Sequence, residues 1–194
     1  MAIDLVKGER IDLTKGRPSL NTVWIGLGWD VNKYEESNDF DLDATAFLLD
    51  KNENSKDENI VFYGQLVHQS DSVKHYGDNR TGNGEGDDEI VEVNLNSVPS
   101  EIESIDFVVT IYKANERGQN FGMVSNAYIR LVDKETNEEL IRYELNEDFS
   151  SKTAVVFAKL YRHKGEWKFN AIGNGYHCDL ADLCQKYGID VKGG

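Results

Sequence analysis

The feature that most constrains the fold is a series of short apolar segments separated by polar turns. None of these segments continues with the 3.6-residue periodicity of a long amphipathic helix. Short segments that recur at modest spacing are typical of the strands of a β-sandwich. The predicted strands are residues 23–29, 40–49, 60–63, 89–95, 105–112, 127–132, 139–145, 154–161 and 167–172.

Two polar turns and one helical segment complete the predicted architecture. Residues 133–138 and 162–166 each separate two predicted strands and indicate two β-hairpins. Residues 179–187 are the best helix candidate, with Asp179 as the N-cap. Because no proline- or serine-rich linker interrupts the chain, we expect a single domain over residues 1–194. The sequence therefore predicts a mostly β protein, a β-sandwich of two antiparallel sheets with a short C-terminal helix.

The negative charge is concentrated in two short segments. Residues 30–43 hold six acids and one lysine (net −5), and residues 78–89 hold five acids and one arginine (net −4), so together they carry −9 of the net charge of −14. A net charge of this sign disfavours direct nucleic-acid binding. Its concentration in two segments suggests that a bound cation balances it.

The chain has no recognisable membrane or export signal. No apolar run reaches the ~18 residues that a membrane helix needs, and residues 1–5 lack the charged and apolar regions of a secretory signal. We therefore expect a cytoplasmic protein. Cys178 and Cys184 lie six residues apart without a CxxC motif, so we interpret them as partly buried thiols rather than a disulfide or zinc site.

The segment of residues 78–89 combines acids with regularly spaced glycines. Calcium takes six to eight oxygen ligands from carboxylates, amides, main-chain carbonyls and water. Glycines at alternate positions allow positive φ angles that turn carbonyl groups inward. Three consecutive acids before a strand repel one another unless a cation balances them. The candidate ligands in this loop are Asp78, Asn79, Gly82, Gly84, Asp87, Asp88 and Glu89.

Two familiar loop types do not fit. Asp78 and Glu89 have the spacing of the first and last ligands of an EF-hand, but Arg80, Gly82 and Asn83 break its pattern. A phosphate-binding loop would end in Gly-Lys-Ser/Thr, which is absent. A solvated surface loop remains the alternative to a metal site.

The second acidic segment shows strict alternation at Asp39, Asp41 and Asp43. Alternate side chains of a strand share one face, so these carboxylates would repel one another without a cation. Asp30 ends the preceding predicted strand, and a hairpin between residues 23–29 and 40–49 could bring it to the same end. The alternative is a polar outer face of a sheet.

Four motifs carry a resemblance to a known family: residues 28–30 (GWD), 40–44 (FDLDA), 77–82 (GDNRTG) and 86–89 (GDDE). With residues 142–145 and 165–169, they resemble the bacterial tellurium-resistance TerD family over nearly the whole chain. The resemblance implies a β-sandwich that binds calcium at clustered acidic loops, takes part in resistance to tellurite, other chemical stress, phage and colicins, and has no catalytic activity. The ligand groups it implies are Asp30, Asp41, Asp43, Asp78, Asn79, Asp87, Asp88 and Glu89.

Three functional hypotheses follow. The first is a calcium-binding module with two ions, since eight side-chain donors exceed the needs of one. Its expected partners are other proteins of the same resistance system, in a calcium-dependent complex that can lie at the inner membrane. The second is a metal-dependent hydrolase, for which Arg80, His75 and His177 are available. The third is direct detoxification of tellurite by Cys178 and Cys184.

Overall fold

The computed structural model describes residues 2–31, 40–77 and 86–191. Two short helices and two 3₁₀ turns (Asp57–Asn59 and Phe121–Met123) accompany the strands of this part of the chain. The helices are α1 (Ala114–Arg117) and α2 (Leu180–Lys186). The strands are β1 (Ile3–Leu5), β2 (Arg10–Asp12), β3 (Thr22–Val31), β4 (Leu42–Leu49), β5 (Ile60–Val61), β6 (Val73–His75), β7 (Glu89–Asn94), β8 (Ser104–Ile111), β9 (Val124–Asp133), β10 (Glu138–Glu144), β11 (Ala154–His163) and β12 (Glu166–Tyr176).

These strands form two six-stranded sheets. Sheet A has the order β1-β10-β9-β3-β7-β6, and sheet B has the order β2-β12-β11-β8-β4-β5. All neighbours are antiparallel except β1, which runs parallel to β10. The predicted β-sandwich is thus confirmed, and so are the predicted hairpins, which are β9–β10 and β11–β12.

The hydrophobic core lies between the two sheets. Along β3, Val23, Ile25, Leu27 and Trp29 belong to this core, and the residues between them belong to the opposite, outer face of sheet A. This period-two alternation is what a strand with one buried face requires. It places Asp30 outside the core, at the end of β3.

Strands β4 and β8 of sheet B are buried on both faces. In β4, Leu42 and Ala44 face the core between the sheets. Phe47 and Leu49 face outward and pack beneath α2. This second covered face explains why the strict alternation at the start of the predicted strand 40–49 gives way to an apolar run. The predicted C-terminal helix is confirmed, and Asp179 caps it in a reciprocal capping box with Asp182.

Some expectations were wrong or incomplete. Strands β1, β2 and β6 were not predicted, because three residues are too few to show a pattern. The predicted strand 60–63 ends at Val61, because the chain turns and Phe62 pairs with Gln65. The predicted hairpin between residues 23–29 and 40–49 does not form. Strand β3 pairs with β7 and β9 along its two edges, which leaves no edge for β4.

Candidate functional site

Gly86 and the three acids that follow it, residues 87–89, lie against the end of β3. Strand β7 pairs antiparallel with β3, with Leu27 opposite Glu89. The amide of Asp88 donates a hydrogen bond to the carbonyl oxygen of Leu27 (2.7 Å). The carboxylate of Asp88 accepts one from the amide of Trp29 through Oδ2 (2.8 Å). These bonds fix Asp88 beside Asp30.

Asp30 and Asp88 share a cleft of about 400 Å³ at this end of sheet A, the acidic cleft. Its walls are formed by Trp29, Asp30, Gly86, Asp88, Asn126, Tyr128, Arg142 and Glu144. Asp30 accepts a hydrogen bond from the side-chain amide of Asn126 (2.7 Å). Burial raises the pKa of Asp88, and the negative charges of Asp30 and Asp87 raise it further. A cation in the cleft would offset both effects.

Asp87 turns away from the acidic cleft onto the outer face of sheet A. Its side chain is only 5% exposed. Arg130 donates from Nε to Oδ1 (2.8 Å) and from Nη2 to Oδ2 (2.9 Å), a two-pronged ion pair. The hydroxyl of Tyr128 adds a bond to Oδ1 (3.0 Å). Burial, and then the charge of Asp87, raise the pKa of Tyr128 to about 12, so this hydroxyl stays protonated and donates.

Two glycines of β3 make room for these side chains. A Cβ atom at Gly26 would lie 2.1 Å from Oδ2 of Asp87, and one at Gly28 would lie 2.3 Å from the ring of Tyr128. Both approaches are closer than any real Cβ contact. Gly86 has φ +115°, a left-handed conformation that favours glycine, as the glycine pattern of the loop predicted.

Glu89 connects the two sheets. Its buried carboxylate accepts a hydrogen bond from the amide of Ala44, the residue after Asp43. Nε2 of His75 lies 3.5 Å from Glu89 Oε2, while Nδ1 of His75 accepts from the amide of Gly77 (3.1 Å). The starts of β4 and β7 therefore meet at one end of the sandwich. Packing between the sheets, rather than a hairpin, brings the two acidic segments together.

Asp43 nevertheless lines a different cleft. This second cleft, of about 330 Å³, lies on the outer side of sheet B and also includes Tyr112, Lys113 and Asp179. The main-chain carbonyl of Asp41 accepts from the amide of Tyr112 (2.8 Å) at its edge. The structure thus groups Asp30 with Asp88 and separates them from Asp43.

The remaining predicted ligands cannot be placed. Asp78, Asn79, Gly82 and Gly84 lie outside the described residues, as do Asp39 and Arg80. Within residues 2–31, 40–77 and 86–191, no three His, Cys, Asp or Glu side chains converge closely enough to hold a metal ion by themselves. The ligand roles of all these residues stay predictions.

Several site residues were missed by the sequence reasoning. Arg130, Tyr128 and Asn126 come from β9, and Arg142 and Glu144 from β10. Arg142 stacks on the ring of Tyr128 at 4.0 Å and donates to Glu144 (3.2 Å). No local motif marks Asn126, Tyr128 and Arg130, because they lie 96, 41 and 43 positions from the acids they contact.

The two cysteines are poorly suited to thiol chemistry. Both thiols are free. Burial raises the pKa of Cys184 to about 11, and burial followed by the charge of Asp182 raises the pKa of Cys178. A raised pKa lowers the fraction of reactive thiolate at neutral pH. This agrees with the interpretation of both residues as packed thiols.

The fold and the site define a β-sandwich protein with an oxygen-rich acidic end. A family model described as the TerD domain matches residues 1–187, and the chain belongs to the TerD family. It is 56% identical over 192 residues to "General stress protein 16U" of Bacillus subtilis, covering 98% of this chain and 100% of that protein. It is 50% identical over 193 residues to "Tellurium resistance protein TerD" of Serratia marcescens, covering 99% and 100%.

A solved structure shares the fold. The crystal structure of SCO6318 from Streptomyces coelicolor, described as a homologue of the telluride resistance protein TerD, superposes with a TM-score of 0.71. The match covers 86% of this chain and 96% of that one at 20% identity. The resemblance seen in the motifs is therefore confirmed at the level of family and fold, and it places the chain among tellurium-resistance and stress-response proteins. In the part of the chain that the structure describes, no helix is long and apolar enough to cross a membrane.

Proposed function

We propose that this protein is a calcium-binding module of a bacterial system for resistance to tellurite and chemical stress. The observation that carries the proposal is the setting of Asp88. Its half-buried carboxylate has a pKa raised by burial and by the neighbouring charges of Asp30 and Asp87, and it borders an acidic cleft. A bound cation would stabilise a carboxylate whose negative charge is disfavoured by burial and by neighbouring negative charges.

The chemistry of the cleft fits calcium. Its candidate donors are the carboxylates of Asp30 and Asp88 and the amide oxygen of Asn126, and oxygen atoms are the ligands that Ca²⁺ prefers. The charge of Arg142 in the wall is engaged by Glu144 and by the ring of Tyr128. Bound calcium would neutralise the cleft carboxylates.

Two ions are part of the proposal. Asp30 and Asp88 line one cleft, whereas Asp43 lines another on the opposite sheet. Asp41, Asp78, Asn79, Gly82, Gly84 and Glu89 remain proposed donors. Calcium binding would change the charge of this end and regulate contacts with other proteins of the resistance system. The proposed location is cytoplasmic, with attachment at the inner membrane through those partners.

Isothermal titration tests the proposal. Metal-free protein should bind calcium with a Kd of about micromolar or tighter, with little competition from Mg²⁺. Asp88→Asn should weaken binding to at least one site by about tenfold or more, because it removes a ligand charge. Asp190→Asn removes the same charge at an exposed position near the C-terminal end of the described residues. This control variant should bind calcium as the wild type does. Absence of binding to protein shown to be metal-free would overturn the proposal.

The hydrolase hypothesis gains no support from the described residues. Neither His75 nor His177 lines the acidic cleft. His75 is buried against Glu89, and His177 is exposed with Nδ1 beside the carbonyl of Ser151. Arg80 lies outside the described residues. The expectation that the protein is not an enzyme stays a prediction.

A further inference from the structure

We propose that Asp87 is a positioning residue rather than a calcium ligand. Together with Arg130 it fastens residues 86–88 to the outer face of sheet A, and so holds Asp88 at the acidic cleft. This inference rests on the proposed calcium function, and it removes one residue from the ligand set that the sequence suggested. It also identifies Arg130, a residue of β9, as a residue that positions the calcium site at the acidic cleft.

The acceptor positions of the Asp87 carboxylate are already occupied by hydrogen bonds within the protein. A carboxylate offers about four acceptor positions on its two oxygens. Nε of Arg130 lies within 3.0 Å of both oxygens, Nη2 lies 2.9 Å from Oδ2, and the Tyr128 hydroxyl lies 3.0 Å from Oδ1. A calcium ion would have to displace these charge-assisted bonds from a side chain that is 95% removed from solvent.

The surface beneath Asp87 leaves its carboxylate little room to move. The carboxylate lies so close to the backbone of Gly26 that even a methyl group there would overlap it. Arg130 is held from its other side by Glu139, with 2.9 Å between Nη1 and Oε2. Asp87 is therefore enclosed by β3 below and by a fixed guanidinium beside it. Rigid support of this kind is how a neighbouring ligand is held in a productive geometry.

Asp87 and the next residue, Asp88, have different surroundings. Asp87 faces the guanidinium, whereas Asp88 faces the amide of Trp29 and borders the acidic cleft. Because the two are consecutive, fixing the side chain of Asp87 limits the positions that Asp88 can take. Asp87 faces a permanent positive charge, whereas Asp88 shares the cleft with the carboxylate of Asp30.

The first test is thermal melting without metal, in excess chelator. Asp87→Asn should lower the melting temperature by about 4–8 °C, the shift expected in a chain of this length for loss of a buried charge-assisted bond. Asp88→Asn is the matched neighbour. It should leave the melting temperature unchanged or raise it, because asparagine keeps an acceptor for the amide of Trp29 and removes one of the neighbouring carboxylates of the cleft. If Asp87→Asn behaves as Asp88→Asn does, the anchoring role is overturned.

The second test is rescue of calcium affinity, measured by titration with Ca²⁺ alone. Asp87→Asn should weaken binding about tenfold through loss of the anchor. The double variant Asp87→Asn/Arg130→Gln keeps the zero net charge of the pair and can form amide hydrogen bonds. It should recover to within about threefold of the wild type. If Asp87 is a ligand, the double variant will bind as weakly as Asp87→Asn.

A third variant covers the case in which Asp87→Asn does not fold. Gly26→Ala places a methyl group against the Asp87 carboxylate without changing any charge or any proposed ligand. It should weaken calcium binding about tenfold. Gly16→Ala is the matched control, because a Cβ there meets nothing within 4 Å, and it should bind normally. Wild-type affinity in Gly26→Ala would contradict the inference.

The two proposals fail in different ways. If the wild type binds no calcium, the proposed function falls, and melting in chelator still decides whether Asp87 anchors the segment. If the wild type binds calcium while Asp87→Asn keeps its melting temperature in chelator and loses binding, Asp87 is a ligand and the inference falls alone.

Discussion

Asp87 and Asp88 are consecutive acids with opposite surroundings. Asp87 lies on the outer face of sheet A in a two-pronged ion pair with Arg130. Asp88 lies at the acidic cleft, where burial and the charges of Asp30 and Asp87 raise its pKa. The difference shows that one run of acids can contain both a residue balanced by the protein itself and a residue suited to an external cation.

Two other acids, one on each sheet, extend this comparison. Glu92, on the same face as Asp87, accepts hydrogen bonds from Lys134, Tyr76 and Trp24. Burial alone would raise the pKa of Glu92, but these bonds outweigh it and lower the pKa. On sheet B, Asp106 accepts from the hydroxyl of Tyr187 and lies beside Lys159. These acids have partners within the chain, as Asp87 has.

The largest effect is expected for Arg130→Gln. Removing the guanidinium leaves the Asp87 carboxylate in a buried position, which should lower the free energy of unfolding of the metal-free protein by about 2–3 kcal/mol at pH 7. Denaturant unfolding in chelator measures this loss, with exposed Arg10→Gln as the control. A loss in Arg130→Gln no larger than that in Arg10→Gln would show that Arg130 does not stabilise the buried carboxylate of Asp87.

An intermediate effect is expected for Tyr187→Phe. The hydroxyl of Tyr187 donates to Oδ2 of the buried Asp106 at 2.7 Å, and its ring packs on Phe47 with centroids 4.4 Å apart. The variant keeps the ring and should lose about 1–2 kcal/mol. Because Tyr187 and Asp106 line neither the acidic cleft nor the cleft of Asp43, calcium affinity measured by titration should not change. A weaker calcium affinity would show that this network is coupled to a calcium site.

The smallest effect is expected for Lys134→Gln. Lys134 is 38% exposed and lies 2.7 Å from Glu92, and an ion pair with a solvent-exposed partner contributes little to stability. We expect a small loss of stability at low salt that falls further as salt screens the pair. Denaturant unfolding at two salt concentrations measures it. A loss as large as that of Arg130→Gln would show that the Lys134–Glu92 pair stabilises the fold as much as the Arg130–Asp87 pair does.

Much of the fold could be predicted from the sequence. The apolar run of residues 23–29, the alternation at the start of 40–49, the turns at 133–138 and 162–166 and the cap at Asp179 are local signals. The structure confirms the elements they predict. The hairpin expected for Asp30 was wrong, because pairing of β3 with β7 and β9 depends on distant strands.

The site was only partly predictable for the same reason. The residue types and glycine spacing of 78–89 identify an acidic loop, but they do not distinguish Asp87 from Asp88. That distinction comes from Arg130, which lies 43 positions away from Asp87. Gly26 carries a weak signal, since glycine inside a strand indicates close approach of another group, and the structure identifies that group as Asp87.

The most direct test of the account is a calcium titration followed by carbon-detected NMR of the aspartate carboxyl groups. The account predicts that the carboxyl signals of Asp88 and Asp30 shift with added calcium. The carboxyl signal of Asp87 and the Nε–H signal of Arg130 should stay close to their metal-free positions. A shift of Asp87 as large as that of Asp88, with loss of the Arg130 Nε–H signal, would contradict the account.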